Sequence, residues 1–201
     1  MLRATSIRRV LGTLLVAGTA SFLLALPASA ADPGKLIESM TNEIVEIGRT
    51  RHGADRQAAM RQVVQNNFDL PYMGRSALGS YWSQASDQQR ARFLAAVEAS
   101  EARTYGERLG KYASYSVTIG NVKPRATGVW IVDSRLNQSG GQPVTIQWEV
   151  HETGQGLRIG DVRVEGISLA MIMRSDFNSY IQSNFGQVEP LVRALEARAA
   201  R

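Results

Sequence analysis

Cysteine is absent from the 201 residues, which removes disulfide scaffolds, thiol catalysis and thiolate metal sites together. Histidine is scarce: His52 and His151 stand far apart, too few and too separated for a histidine-built zinc centre. No run of Lys or Arg follows the first residues, which argues against a nucleic-acid partner. No G-x-S-x-G, H-E-x-x-H or phosphate-loop motif occurs, and Gly154, Gly156 and Gly160 lead toward a strand instead of a helix. What is present is an apolar chain, 44% hydrophobic and 20% charged, with enough material to bury a core and too little charge imbalance to stay disordered.

The net charge of +5 is concentrated at the start. Arg3, Arg8 and Arg9 precede an apolar stretch from Val10 to Leu26, and Pro27-Ala28-Ser29-Ala30 places small residues at the positions of an A-x-A cleavage signal. The expectation is a cleavable export leader over 1–30 and one domain over 31–201. Without the leader the charge falls to +2, since three of the 23 basic and none of the 18 acidic residues lie there. The apolar run of ~17 residues is short for a membrane span, and Gly12 and Gly18 weaken it further. Ser6 to Leu11 matches only part of a twin-arginine signal, so the general secretion route is expected.

Apolar residues recur at helical spacing from Lys35 to about Phe68, interrupted near Gly48 and Gly53. Asp69-Leu70-Pro71 caps a short helix over 71–79, and Ser86 with Gln89 forms a capping box opening a long helix. After Ser114 the period changes to two. Strands are predicted over Tyr115–Val122, Val129–Leu136, Pro143–Glu152 and Leu157–Glu165, joined by short turns. Helical spacing returns over Leu169–Phe185 and Val188–Leu195. This order predicts an α+β fold: an antiparallel meander of four strands or slightly more, covered on one face by N- and C-terminal helices.

Chemistry-bearing residues are few. Asp133, His151 and Asp161 lie on strands, where an acid–base pair facing a pocket would make an enzyme. His151 falls on the polar face of its strand, opposite Trp148, and reads as solvated. Asp161 sits where the last strand bulges, between the Leu157/Ile159 and Val162/Val164 pairs, and a carboxylate there commonly accepts backbone N–H groups. No catalytic residue and no metal ligand is assigned. Soft apolar residues crowd two stretches, Tyr72, Met73, Leu78, Tyr81 and Trp82, then Ile167, Leu169, Met171, Ile172 and Met173. They suit a packed core or an adaptable pocket, and composition alone leaves both open.

Asp161-Val162-Arg163-Val164-Glu165-Gly166-Ile167-Ser168-Leu169 and the following Arg174-Ser175-Asp176-Phe177 resemble the MlaC (toluene-tolerance) family. Phe68 to Gly79 with Tyr81-Trp82, Ser86 to Phe93, and Arg103-Thr104-Tyr105 extend the similarity over roughly residues 35–195. Met173 stands where the family often has Tyr before its Arg. The resemblance implies a periplasmic phospholipid-binding protein whose deep pocket takes acyl chains and leaves the head group outside. It also implies docking to an outer-membrane lipoprotein complex and an inner-membrane ABC transporter, with passing membrane proximity and a monomeric state. A hopanoid-associated, HpnM-like branch of the family is the alternative within this reading, and a small pocket-containing periplasmic enzyme the alternative outside it.

Burying an acyl chain is worth about 0.8 kcal/mol per methylene, so two chains of about 28 methylenes represent on the order of 20 kcal/mol. A carrier needs an oily cavity and no cofactor; phospholipid is cargo. Strand alternation places Val129, Ile131, Val144, Ile146, Trp148, Val150, Val162 and Val164 on the expected wall, with Tyr105, Leu109, Ile167, Leu169, Met171 and Ile172 facing it. Arg174 is the head-group candidate, with a salt bridge to Asp176 as its other reading.

Overall fold

The computed structural model describes residues 32–108, 116–138 and 141–200, with backbone alone at Tyr105 and Arg108. The leader over 1–30, Leu109 and the Tyr105 side chain lie outside the described residues.

Local signals in the sequence set the helix starts. Helix α1 (Pro33–Thr50) begins where Asp32 Oδ1 accepts from the N–H groups of Gly34 and Lys35, with Pro33 in its first turn. Helix α2 (Gly53–Asn67) follows a break at Arg51-His52. Asp69 caps α3 (Leu70–Leu78) through the Tyr72 N–H, and Gly79, at φ +56°, ends it. One turn, α4 (Tyr81–Gln84), leads to α5 (Asp87–Arg108). The capping box closes both ways: Ser86 N–H donates to Gln89 Oε1 at 3.0 Å, and Gln89 N–H to Ser86 Oγ at 3.2 Å.

The sheet is a five-stranded antiparallel meander in chain order, β1 (Ser116–Ala126), β2 (Val129–Asn137), β3 (Val144–Thr153), β4 (Gly156–Val164) and β5 (Ile167–Ser168). Strand β1 runs past the expected end at Val122 because it is an edge strand, where Pro124 costs no ladder bond. Helices α6 (Leu169–Ser183) and α7 (Glu189–Ala199) complete the chain.

Helices α1 and α2 cover one sheet face, burying Ile37, Met40, Met60 and Val63 against Val132, Trp148, Val150, Ile159 and Val162. Of the C-terminal helices, α6 packs on β4, and α7 lies beyond it. It packs on α5 and α6 and builds a second core with them from Leu78, Phe93, Ile181, Leu191 and Val192. Arg92 of α5 ties this core together, donating to both Glu196 oxygens at 2.8 and 2.7 Å and to Glu189 Oε1 at 2.9 Å.

The face of the sheet turned away from α1 and α2 carries a polar network. Glu149 pairs with Arg125 and bonds His151 Nε2 at 2.9 Å; Lys123 pairs with Asp133, which accepts from Gln147 at 2.9 Å. His151 is not solvated as its strand position suggested: its side chain is only 13% exposed, and Tyr72 meets it edge-on with ring centroids 4.5 Å apart. Tyr72 reaches this face because Asp69 N–H bonds Ile159 O at 2.9 Å, pinning the start of α3 to β4. Burial, with Glu149 adding to it, pushes the Tyr72 phenol up. The expected bulge falls at Gly160, where pairing shifts from Glu149↔Asp161 to Val150↔Ile159. A Cβ on Gly160 would stand 2.5 Å from the His151 ring, so the packed imidazole requires glycine there. Asp161 Oδ1 accepts the N–H groups of Val162 at 2.9 Å and of Ala170, in the first turn of α6, at 3.2 Å.

Two predictions follow from these anchors. Asp161→Ala leaves two buried N–H groups without their acceptor and removes the carboxylate 3.5 Å from Arg163 Nε, and should cost about 2–4 kcal/mol in urea unfolding, with Asp161→Asn costing clearly less. Arg92 holds Glu189 down from 4.5 to about 2, aided by Gln89 and Arg193, and lowers Glu196 as well. Depressed carboxyl values stabilise the fold above 4.5 and lose that contribution as pH falls toward 2. The melting midpoint should therefore drop across that acid window, and Arg92→Gln should lower it at neutral pH while flattening the drop.

Candidate functional site

The two cores do not merge. Between them lies an apolar cavity of about 300 Å³, at the lower end of the ligand-pocket range of roughly 300–1,000 Å³. Its sheet wall is Val117, Leu136, Ile146, Trp148, Val162 and Val164. Its helix walls are Met40 and Ile44 from α1, Met60, Val63 and Val64 from α2, Met73, Gly74 and Ala77 from α3, Phe93, Leu94 and Val97 from α5, and Leu169 and Met173 from α6. Met40, Met60, Phe93 and Trp148 are buried, whereas Ile44, Val97, Val117, Leu136, Ile146, Val164 and Leu169 are half-buried and mark the side toward solvent.

Polar groups are sparse in this lining and each is engaged. Thr41 donates its hydroxyl to Ile37 O at 2.8 Å and Glu38 O at 3.1 Å, so it turns no free hydroxyl inward. Glu98 accepts from Gln65 Nε2 at 2.8 Å and lies 3.6 Å from Arg61 Nε. Glu101 lines the same region. The Trp148 indole N–H donates to Ser134 Oγ at 2.8 Å, and Ser134 donates to Ile146 O at 3.2 Å, so the largest sheet side chain is fixed with its polar atom satisfied. Among the described residues no group of three His, Asp or Glu side chains stands ready to hold a metal ion. His151 lies on the opposite face of the sheet from the cavity, and the Asp161 carboxylate is taken up by backbone N–H groups. The two do not face this hollow as an acid–base pair.

The structure sorts the expected wall residues. Ile146, Trp148, Val162, Val164 and Leu169 line the cavity. Val144 and Val150 share their face but not the lining; Val150 is wholly buried in the first core. Val129 and Ile131 are a correction. Register pairs them with His151 and Glu149 on the far face, while Trp130, Val132, Ser134 and Leu136 face the helices. The run Val129-Trp130-Ile131-Val132 is apolar on both faces, so alternation could not choose between them. Ile167, Met171 and Ile172 are corrected as well: they point outward, 60%, 59% and 44% exposed, on β5 and the first turn of α6. Arg174 forms no ion pair with Asp176 among the described residues; a Cβ on Gly79 would stand 3.0 Å from its Nη2.

The residues from α1, α2, α3 and α5 were not foreseen as lining. Their stripe has the same spacing whether it meets protein or a hollow, so periodicity alone could not mark them. Gly74 is diagnostic of the close packing here: an added Cβ would stand 2.3 Å from Leu94 Cδ2, and both residues border the cavity.

No curated protein matches the sequence. Among solved structures, a phospholipid-binding protein from Ralstonia solanacearum, determined in complex with a phospholipid, shares the fold with a TM-score of 0.71. It is 22% identical, and the match covers 85% of this chain and 98% of that one. The sequence model of the MlaC protein family matches residues 35–197, from the first turn of α1 to the last turn of α7. With its fold and nearly all of its described length accounted for in this way, the chain belongs to the MlaC family.

Proposed function

We propose that this protein is a periplasmic phospholipid carrier that shields acyl chains and shuttles lipid between an outer-membrane lipoprotein complex and an inner-membrane ABC transporter. The observation that carries the reading is the cavity itself. An apolar lining of this extent left facing water forfeits about 25 cal/mol for every Å² that stays wet. An apolar occupant removes that cost, and an acyl chain gains its own burial energy by entering. Membership of the MlaC family and the phospholipid held by the Ralstonia structure support the choice of occupant.

The cavity offers no free nucleophile or acid–base pair among its described side chains, which favours binding over catalysis. Among the described residues no helix is long and apolar enough to cross a membrane. Cleavage after Ala30 and export of residues 31–201 as a monomer complete the proposal. Because chain burial is similar wherever the lipid is handed over, direction comes from the docked partners.

Native mass spectrometry of the purified protein should show stoichiometric lipid, and extraction should identify it as phospholipid or, in the hopanoid-associated alternative, as an isoprenoid lipid. Lipid-free protein that takes up nothing from vesicles would overturn the carrier. Ile146→Trp fills the hollow from the sheet side. It should lower retained lipid by at least about tenfold with little loss of stability, whereas a core with no room would lose about 1–3 kcal/mol.

A further inference from the structure

The methionines are distributed unevenly over the walls of the cavity. On the sheet side, Ile146, Val162 and Val164 are branched at Cβ and confined to few rotamers, and Trp148 is pinned through its indole N–H to Ser134. On the helix side stand Met40 of α1, Met60 of α2, Met73 of α3 and Met173 of α6. Four of the six methionines in the sequence thus face one hollow, each from a separate helix. Met40 and Met60 are 1% and 3% exposed at its floor, and Met73 and Met173 are half-buried. A thioether chain is unbranched, has three rotatable bonds and a polarizable sulfur, and refills irregular space with little penalty. Four compliant side chains set among stiff neighbours, Ile44, Val63, Val64 and Val97 on the helices and Ile146, Val162 and Val164 on the sheet, make a mould of adjustable shape.

We propose that these four methionines determine the breadth of cargo, so that the cavity accepts phospholipids whose acyl chains differ in length and unsaturation instead of one defined chain. The proposal rests on the phospholipid-carrier reading above. A rigid apolar pocket discriminates about tenfold or more per methylene. Here a longer, shorter or kinked chain is met by rotation about methionine χ angles on the helix side, while Ile146 and Trp148 keep their positions.

The test offers delipidated protein a set of phosphatidylethanolamine vesicles containing equal amounts of dimyristoyl, dipalmitoyl, dipalmitoleoyl and dioleoyl species, and reads the bound species by native mass spectrometry. Wild-type protein should take up all four within about threefold of their input ratio. The variant Met40→Ile/Met60→Ile/Met73→Ile/Met173→Ile, stiff at every one of these positions, should favour one species by about tenfold over its worst competitor. The half-buried pair Met73→Ile/Met173→Ile should show an intermediate narrowing, and serves where the fourfold variant does not fold. Equal breadth in wild type and both variants overturns the proposal while leaving the carrier intact. A wild-type protein that already selects a single species overturns it too. No lipid uptake by wild type from any vesicle brings down the carrier reading and this one with it.

Discussion

Everything in this molecule is arranged around an apolar space that the chain declines to fill. Two hydrophobic cores form, one between the sheet and α1/α2, the other among α3, α5, α6 and α7, and Phe93 and Trp148 approach the gap from opposite sides without closing it. Such a gap strains the balance of a fold whose net stability is a small difference of large terms. It persists because its walls are braced from outside. Arg92 joins α5 to α7 through two carboxylates, and the Trp148 indole is tied down by Ser134, which holds helix α5 and the largest sheet side chain in place.

The far face of the sheet has a structural part in this. Strand β4 is the place where both α3 and α6 attach, α3 through the Asp69–Ile159 backbone bond and α6 through the Asp161 carboxylate. These two helices carry Met73, Gly74, Leu169 and Met173 into the cavity. The Gly160 bulge makes the attachment possible by turning Asp161 toward the helix start and leaving a bare Cα against which His151 packs, with Tyr72 edge-on to that ring. His151 and Asp161, the polar histidine and carboxylate of the expected acid–base pair, are instead occupied in packing and capping behind the wall of the cavity.

Family membership and geometry address different questions. The match over residues 35–197 establishes what kind of protein this is, and the shared fold with the Ralstonia protein at 22% identity extends to architecture alone. The composition of the cavity wall, with all four of its methionines on the helix side, belongs to this chain's own residues.

Much of the scaffold was legible in the sequence because its signals act over a few residues. Asp69 and the Ser86/Gln89 box marked helix starts, the alternation through Val144–Val150 gave a strand and its inner face, and the break in that pattern at Gly160-Asp161 gave the bulge. The cavity was half legible. Ile146, Trp148, Val162, Val164 and Leu169 could be placed, but Val129 and Ile131 turned out to face the other way, and Ile167, Met171 and Ile172 turned outward. The physical reason is one of range. Caps, turns and periodicity depend on neighbours along the chain, so the amino-acid order alone determines them. Whether an apolar face meets another side chain, solvent or a hollow depends on register between strands and on where distant helices come to rest, and only the assembled tertiary structure decides that.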